Sequence, residues 1–153
     1  MTHRAPAFLP LTVDAAARLD AGPLLNQALA TDRAAAECWT ALLAGCGTAA
    51  RRDLGPQLRR LSEATSVHVG ARWWFAEGAG HRRRVASAQE NLEDAIAEGD
   101  GQEFALAFVG YDNAMASALV CREQARSQVP DTQRAAVVPP PRAGRHHRVD
   151  HQP

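Results

Sequence analysis

Two titratable side chains fall where apolar residues are expected. Asp32 interrupts an apolar stripe in residues 24–46, and His81 interrupts another in residues 64–95. A carboxylate and an imidazole in apolar surroundings could form a buried hydrogen-bonded pair of the kind used for proton transfer. Two groups are not a mechanism, and no third side chain stands at a spacing that would complete a nucleophile triad. A structural hydrogen bond or an edge position is therefore the expectation for Asp32 and His81, with a buried pair of the two as the alternative.

The metal-ligand arithmetic gives no centre. A di-metal carboxylate bundle needs Glu-x-x-His pairs on two helices with further glutamates. Here Glu77 and His81 are four apart, no second pair exists, and His68 lies off the apolar seam. Cys38, Cys46 and Cys121 are odd in number and contain no Cys-x-x-Cys. That spacing argues against a disulfide framework or a zinc site and for small buried apolar side chains. His146, His147 and His151 could hold a transition metal only loosely. The Gly-Ala-Gly-His run at 78–81 lacks the strand that a phosphate loop requires. No catalytic residue, metal site or cofactor is expected, and the chain reads as a non-enzyme.

The elements that would position these groups are helices. The chain has 153 residues, room for one domain, and 46% of them are hydrophobic. It has 17 arginines, 32 alanines and no lysine, a codon signature of a GC-rich, bacterial genome. Residues 1–22 read as an N-terminal arm, with Thr12 capping a short helix over 13–20 that Gly22 stops. Pro23 suits the first turn of the next helix, whose stripe is Leu25, Leu29, Ala36, Trp39, Leu43 and Cys46. A short turn follows from Thr48 to Leu54, and Gly55-Pro56 restarts the chain. Helical pattern then continues to about Glu98, and Gly99-Asp100-Gly101 ends it. Asp100 with Glu103 has capping-box spacing, and the last helix, about 102–128, carries Phe104, Phe108, Tyr111, Met115 and Ala118. No segment alternates with the period of a strand. The expected class is all-α: an antiparallel helical bundle over 23–128 with one long or glycine-interrupted central helix at about 56–98. The proline-rich tail, 129–153, is expected to be disordered.

The stretch from Ala71 to Arg84 is the least ordinary part. Stepping by threes and fours from Ala64 gives Val67, Ala71, Trp74, Gly78, His81, Val85, Ala88, Leu92 and Ala95, a mostly small-residue seam of coiled-coil type. Trp73, Trp74 and Phe75 span about 200° of a helix, so one neighbour cannot cover all three. Either two helices flank this point or Trp73 is partly exposed and available to a partner. Arg82, Arg83 and Arg84 fan away from His81.

Formal charge is zero overall, but its distribution is not even. Residues 51–84 carry eight arginines against three acids, and residues 85–103 carry six acids and no arginine. Glu93, Asp94 and Glu98 lie near a helix C-terminus, where the dipole disfavours them. Arg59 and Arg60, with Arg51 and Arg52, are the expected partners. One continuous helix over 56–98 would be about 64 Å long and would leave apolar strips bare. A second copy, antiparallel and crossing near Gly78, would cover them and pair Arg59 and Arg60 with Glu93 and Asp94. A break at Gly78-Ala79-Gly80 would instead fold the chain into a four-helix monomer. The unbroken seam favours the long helix and a homodimer.

The leading functional expectation is a self-associating protein-interaction or regulatory module that binds an unidentified protein through Trp73, Trp74, Phe75, Gly78 and Arg82 to Arg84. A second is a nucleic-acid accessory protein using the Arg-rich helix face. A third is a small-ligand binder near Trp74 and His81. Prolines break the apolar N-terminus, and no window offers about 20 apolar residues, so neither a secretory signal nor a membrane partner is expected and the cytoplasm is the default.

Overall fold

A computed structural model describes residues 5–45 and 47–128, less the side chain of Thr48. The tail from 129, with His146, His147 and His151, lies outside the described residues, as does Cys46. Six helices follow one another: α1 (Pro10–Arg18), α2 (Gly22–Ala44), α3 (Thr48–Val69), α4 (Ala71–Phe75), α5 (Ala79–Glu98) and α6 (Gly101–Ser127). No strand occurs among the described residues. The chain is all-α, as its periodicity implies.

Glycine and proline punctuate the chain, though not always where the sequence suggests. Pro23 sits in the first turn of α2, and Gly45 ends that helix in the left-handed region at φ 67°. Gly99 does the same for α5, and the Asp100 side chain accepts the Gln102 and Glu103 N–H groups at 3.1 Å each to start α6. Gly55-Pro56 does not restart a helix. The α3 backbone runs straight through it, and only the bond from residue 56 to the Arg52 carbonyl is forfeited. Gly55 has no Cβ to clash with the proline ring.

The 56–98 segment takes the glycine-interrupted form and not that of one long helix, and its first break comes at Gly70, ahead of the turn that Gly78 closes. Gly70, at φ 89° and ψ 126°, ends α3. Only glycine adopts that backbone without strain. Five residues of α4 and the turn at 76–78 then reverse the chain, and Ala79 and Gly80 already belong to the first turn of α5. α5 therefore folds back on α3, with the Arg51 guanidinium at the N-terminal end of α3 bonded to the Ile96 carbonyl near the end of α5. The result is two helical hairpins, α2–α3 and α5–α6, packed as an antiparallel bundle, with α1 laid across α2 and α6. Because the chain closes on itself, the bare strips that argued for a partner across a 64 Å helix do not exist.

α6 is the axis of the core and touches α1, α2, α3 and α5. Its buried side chains include every residue of the expected stripe, Phe104, Phe108, Tyr111, Met115 and Ala118. Phe8 from the arm completes an edge-to-face cluster, 5.7 Å from Phe104, 5.2 Å from Phe108 and 6.0 Å from Trp39. In α2 the buried stripe is shifted by one residue from the expected one. Leu24, Ala28, Thr31, Ala35, Cys38 and Leu42 face inward, while Trp39 and Leu43 are exposed. Adjacent leucine pairs at 24–25 and 42–43 make both phases apolar, and packing against Leu54, Leu58 and Leu61 of α3 selects the one with small central residues. Burial also pushes the Cys38 thiol up to about 11, with Arg51 pulling it the other way.

One helix, α6, is long and apolar enough to cross a membrane, contrary to the sequence expectation that no window qualifies. Half of that apolar window is buried inside the bundle.

Candidate interaction surface

The Trp-Trp-Phe run is a corner of the core. Trp73 and Trp74 are both buried, and Phe75 is 64% exposed. Trp73 is therefore not the partner-facing residue that its helical position allowed. The α4 corner turns its ring against Gly78, whose N–H donates to the Trp73 carbonyl at 2.7 Å. A Cβ on Gly78 would lie 2.5 Å from Trp73 Cζ3 and 2.6 Å from Cε3. Gly78 is needed for close approach and not for its backbone, which is at φ −83°. Gly78→Ala is expected to destabilise the fold by about 1–3 kcal/mol through overpacking. Gly80→Ala, with open space around the new methyl in the first turn of α5, is expected to be neutral or stabilising by up to about 1 kcal/mol. Paired urea titrations check this, and equal effects at the two sites would contradict the assignment.

Arginines finish this corner. The Arg122 guanidinium lies 5.6 Å from the Trp73 ring, and its Nε donates to the Val69 carbonyl at 2.8 Å. Arg126 donates to the His68 carbonyl at 3.0 Å. Two cations from the last turns of α6 thus satisfy the open carbonyls of α3 and complement its dipole. Arg51 does the same for α5. Arg82 stacks over Phe75 at 4.9 Å, and Arg84 donates to His81 Nδ1 at 2.8 Å. Burial and then the Arg84 charge hold the His81 imidazole below its usual range, so the ring stays a neutral acceptor.

Asp32 and His81 are not brought together. Asp32 accepts the backbone N–H groups of Phe8 at 2.8 Å and Leu9 at 3.0 Å, with Ala7 at 3.4 Å. An open cleft of about 580 Å³ runs beside Asp32, lined by Ala5, Ala7, Leu29 and Ala36 but by neither Trp74 nor His81. Asp112, which no sequence pattern singled out, completes the same device. It is buried, and its carboxylate accepts Leu11 N–H at 3.1 Å, Thr12 N–H at 2.9 Å and the Thr12 hydroxyl at 2.7 Å. Helix α1 begins at Pro10 with Leu9 as a cap residue that has no side-chain oxygen. Asp32 from α2 and Asp112 from α6 therefore supply the N-terminal cap, and the positive end of the α1 dipole faces both. Thr12 does not cap its own helix; its hydroxyl is bound to α6.

The charge partners also rearrange. Arg59 and Arg60 form no ion pair with Glu93, Asp94 or Glu98 among the described residues. Arg60 lines a groove with Arg33 and Glu37 of α2, whereas Asp94 and Glu98 line a groove with Glu103 and Leu106 of α6. The arginines do not form one strip for a nucleic acid either. Arg51 and Arg52 sit by Ile96 and Ala97, about 20 Å along α5 from Arg82 to Arg84. Among the described residues, no three His, Cys, Asp or Glu side chains gather as a ligand set.

What the structure exposes instead is the outer face of α6. Leu106 is 58% exposed, Val109 60% and Val120 48%. From Phe104 to Cys121 the helix has a single charged residue, Asp112, and that one turns inward to α1. Gly110, Asn113 and Ser117 fill the rest of this face. No protein-family model matches the chain, and neither a curated protein nor a solved structure matches it.

Proposed function

We propose that this chain is a non-enzymatic, self-associating interaction module whose working surface is the outer face of α6. The observation that carries this reading is an exposed helix face, 18 residues long, with no outward charge and with Leu106, Val109 and Val120 open to solvent. A helix at the surface of a monomer normally presents charged side chains there, and an uncharged face with exposed large apolar side chains points to an interaction site. The neighbouring α5 follows that rule, with Arg83, Arg84, Glu90, Glu93, Asp94 and Glu98 outward. The non-enzymatic half rests on how the polar groups are used. Asp32 and Asp112 hold backbone amides, Arg51, Arg122 and Arg126 hold helix C-termini, and His81 holds Arg84.

Val109→Arg tests the reading. The side chain is exposed, so folding stability should change by no more than about 0.5 kcal/mol. Sedimentation should then find the variant at the 16.4 kDa chain mass while the parent chain forms a larger species. Identical sedimentation of parent and variant would reject this surface.

A further inference from the structure

Resting on that reading, we infer that the occupant of the α6 face is a second copy of this chain, docked antiparallel about a two-fold axis near Asn113. Charge decides the orientation. At the start of α6, Asp94, Glu98 and Glu103 surround Leu106 in one groove. At the other end, Arg18 and its ion-pair partner Asp14 lie in a groove with Val120 and Gln124. On the α5 flank, helical spacing places Arg84, Ser87, Asn91, Asp94 and Glu98 on one side. The α5 flank therefore runs from basic at Arg84 to acidic at Asp94 and Glu98, whereas on the α1 flank Arg18 and Asp14 balance each other. A parallel two-fold would bring the α5 flank of one copy to the α1 flank of the other, with Arg84 at the same end as Arg18. An antiparallel two-fold sets the α5 flank of one copy against the α5 flank of the other, which brings Asp94 towards Arg84 of the second copy.

Spacing fits the same axis. Leu106 and Val120 each lie seven residues from Asn113, so an axis there sets each leucine beside a valine of the other copy. Between them the face is small and uncharged, which permits close approach. Gly110 is the telling residue. It lies inside a 27-residue helix, where glycine costs about 1 kcal/mol relative to alanine. A Cβ added there would meet nothing in its own chain. The bundle itself gives no reason for that glycine; a second α6 crossing beside it does. The isologous arrangement closes at two copies and leaves no open edge for further growth.

Disulfide trapping distinguishes the geometry from the association itself. In a chain with Cys46→Ser and Cys121→Ser, Asn113→Cys should oxidise to a covalent dimer. Leu106→Cys and Val120→Cys should each form no covalent dimer on oxidation when alone, yet form a mixed disulfide when combined. Self-linkage of the Leu106→Cys and Val120→Cys chains would show a parallel pair. A parent chain that forms dimers while none of these variants links would place the interface elsewhere. Either result overturns the antiparallel docking, and self-association survives it. A parent chain that forms no dimer overturns both.

Discussion

Replacing Trp73 by alanine is expected to lower folding stability by about 3–5 kcal/mol and to leave self-association unchanged. The ring is buried and fills the α4 corner. It touches the Gly78 backbone so closely that no methyl fits between them. It stacks on His81 at 6.1 Å, with planes 19° apart, and lies under Arg122, which in turn closes the end of α3. Truncation opens a large cavity and loosens the partners of two other helices. The loss should exceed the roughly 1 kcal/mol that typical substitutions cost. Denaturant titration measures the stability, and sedimentation of the folded variant measures association. A variant that keeps its stability but loses its dimer would return Trp73 to the interface role its sequence position suggested.

Asp112→Ala should cost about 3 kcal/mol. The carboxylate is buried and holds two amides and a hydroxyl of α1. Alanine would leave these donors without an acceptor in a place from which water is largely excluded. The effect should be local as well as global. α1 should exchange its Leu11 and Thr12 amides early, while α2, α3, α5 and α6 stay protected. Asp112→Asn keeps one acceptor oxygen and should cost less, about 1–2 kcal/mol. Hydrogen exchange and urea titration together check this. Retention of parent-like protection at Leu11 and Thr12 in the alanine variant would show that α1 is held by its apolar contacts alone.

These two residues also mark where reading the chain alone stops. Periodicity and punctuation locate the helices well: the Asp100 cap, the Gly45 and Gly99 stops and the α6 core stripe all follow from local chemistry. What depends on distant neighbours does not. Asp112 caps a helix a hundred residues earlier, so nothing beside it announces the role. Its one signal is being a lone acid in a long uncharged run. The bend at Gly70 was concealed because a single glycine is tolerable in a helix, while the Gly78 and Gly80 pair looked the better break. Gly70 has a positive φ that favours glycine, whereas Gly78, in the turn before α5, is required by the Trp73 ring. The α2 face was ambiguous because leucines occupy both phases, and only α3 decides between them. The exposed α6 stripe was hidden by the same logic in reverse. A helix apolar on all sides reads as core, and which side remains open depends on where the other helices stop.

Light scattering of the parent chain, at about 0.05 M and again at about 0.5 M salt, bears on self-association itself. The account predicts twice the 16.4 kDa chain mass at low salt, and a dimer that needs less dilution to dissociate as salt rises, because screening weakens the contacts that set the register. A mass of 16.4 kDa at both salts, at about 100 μM chain, a concentration at which even micromolar association would be nearly complete, would contradict it.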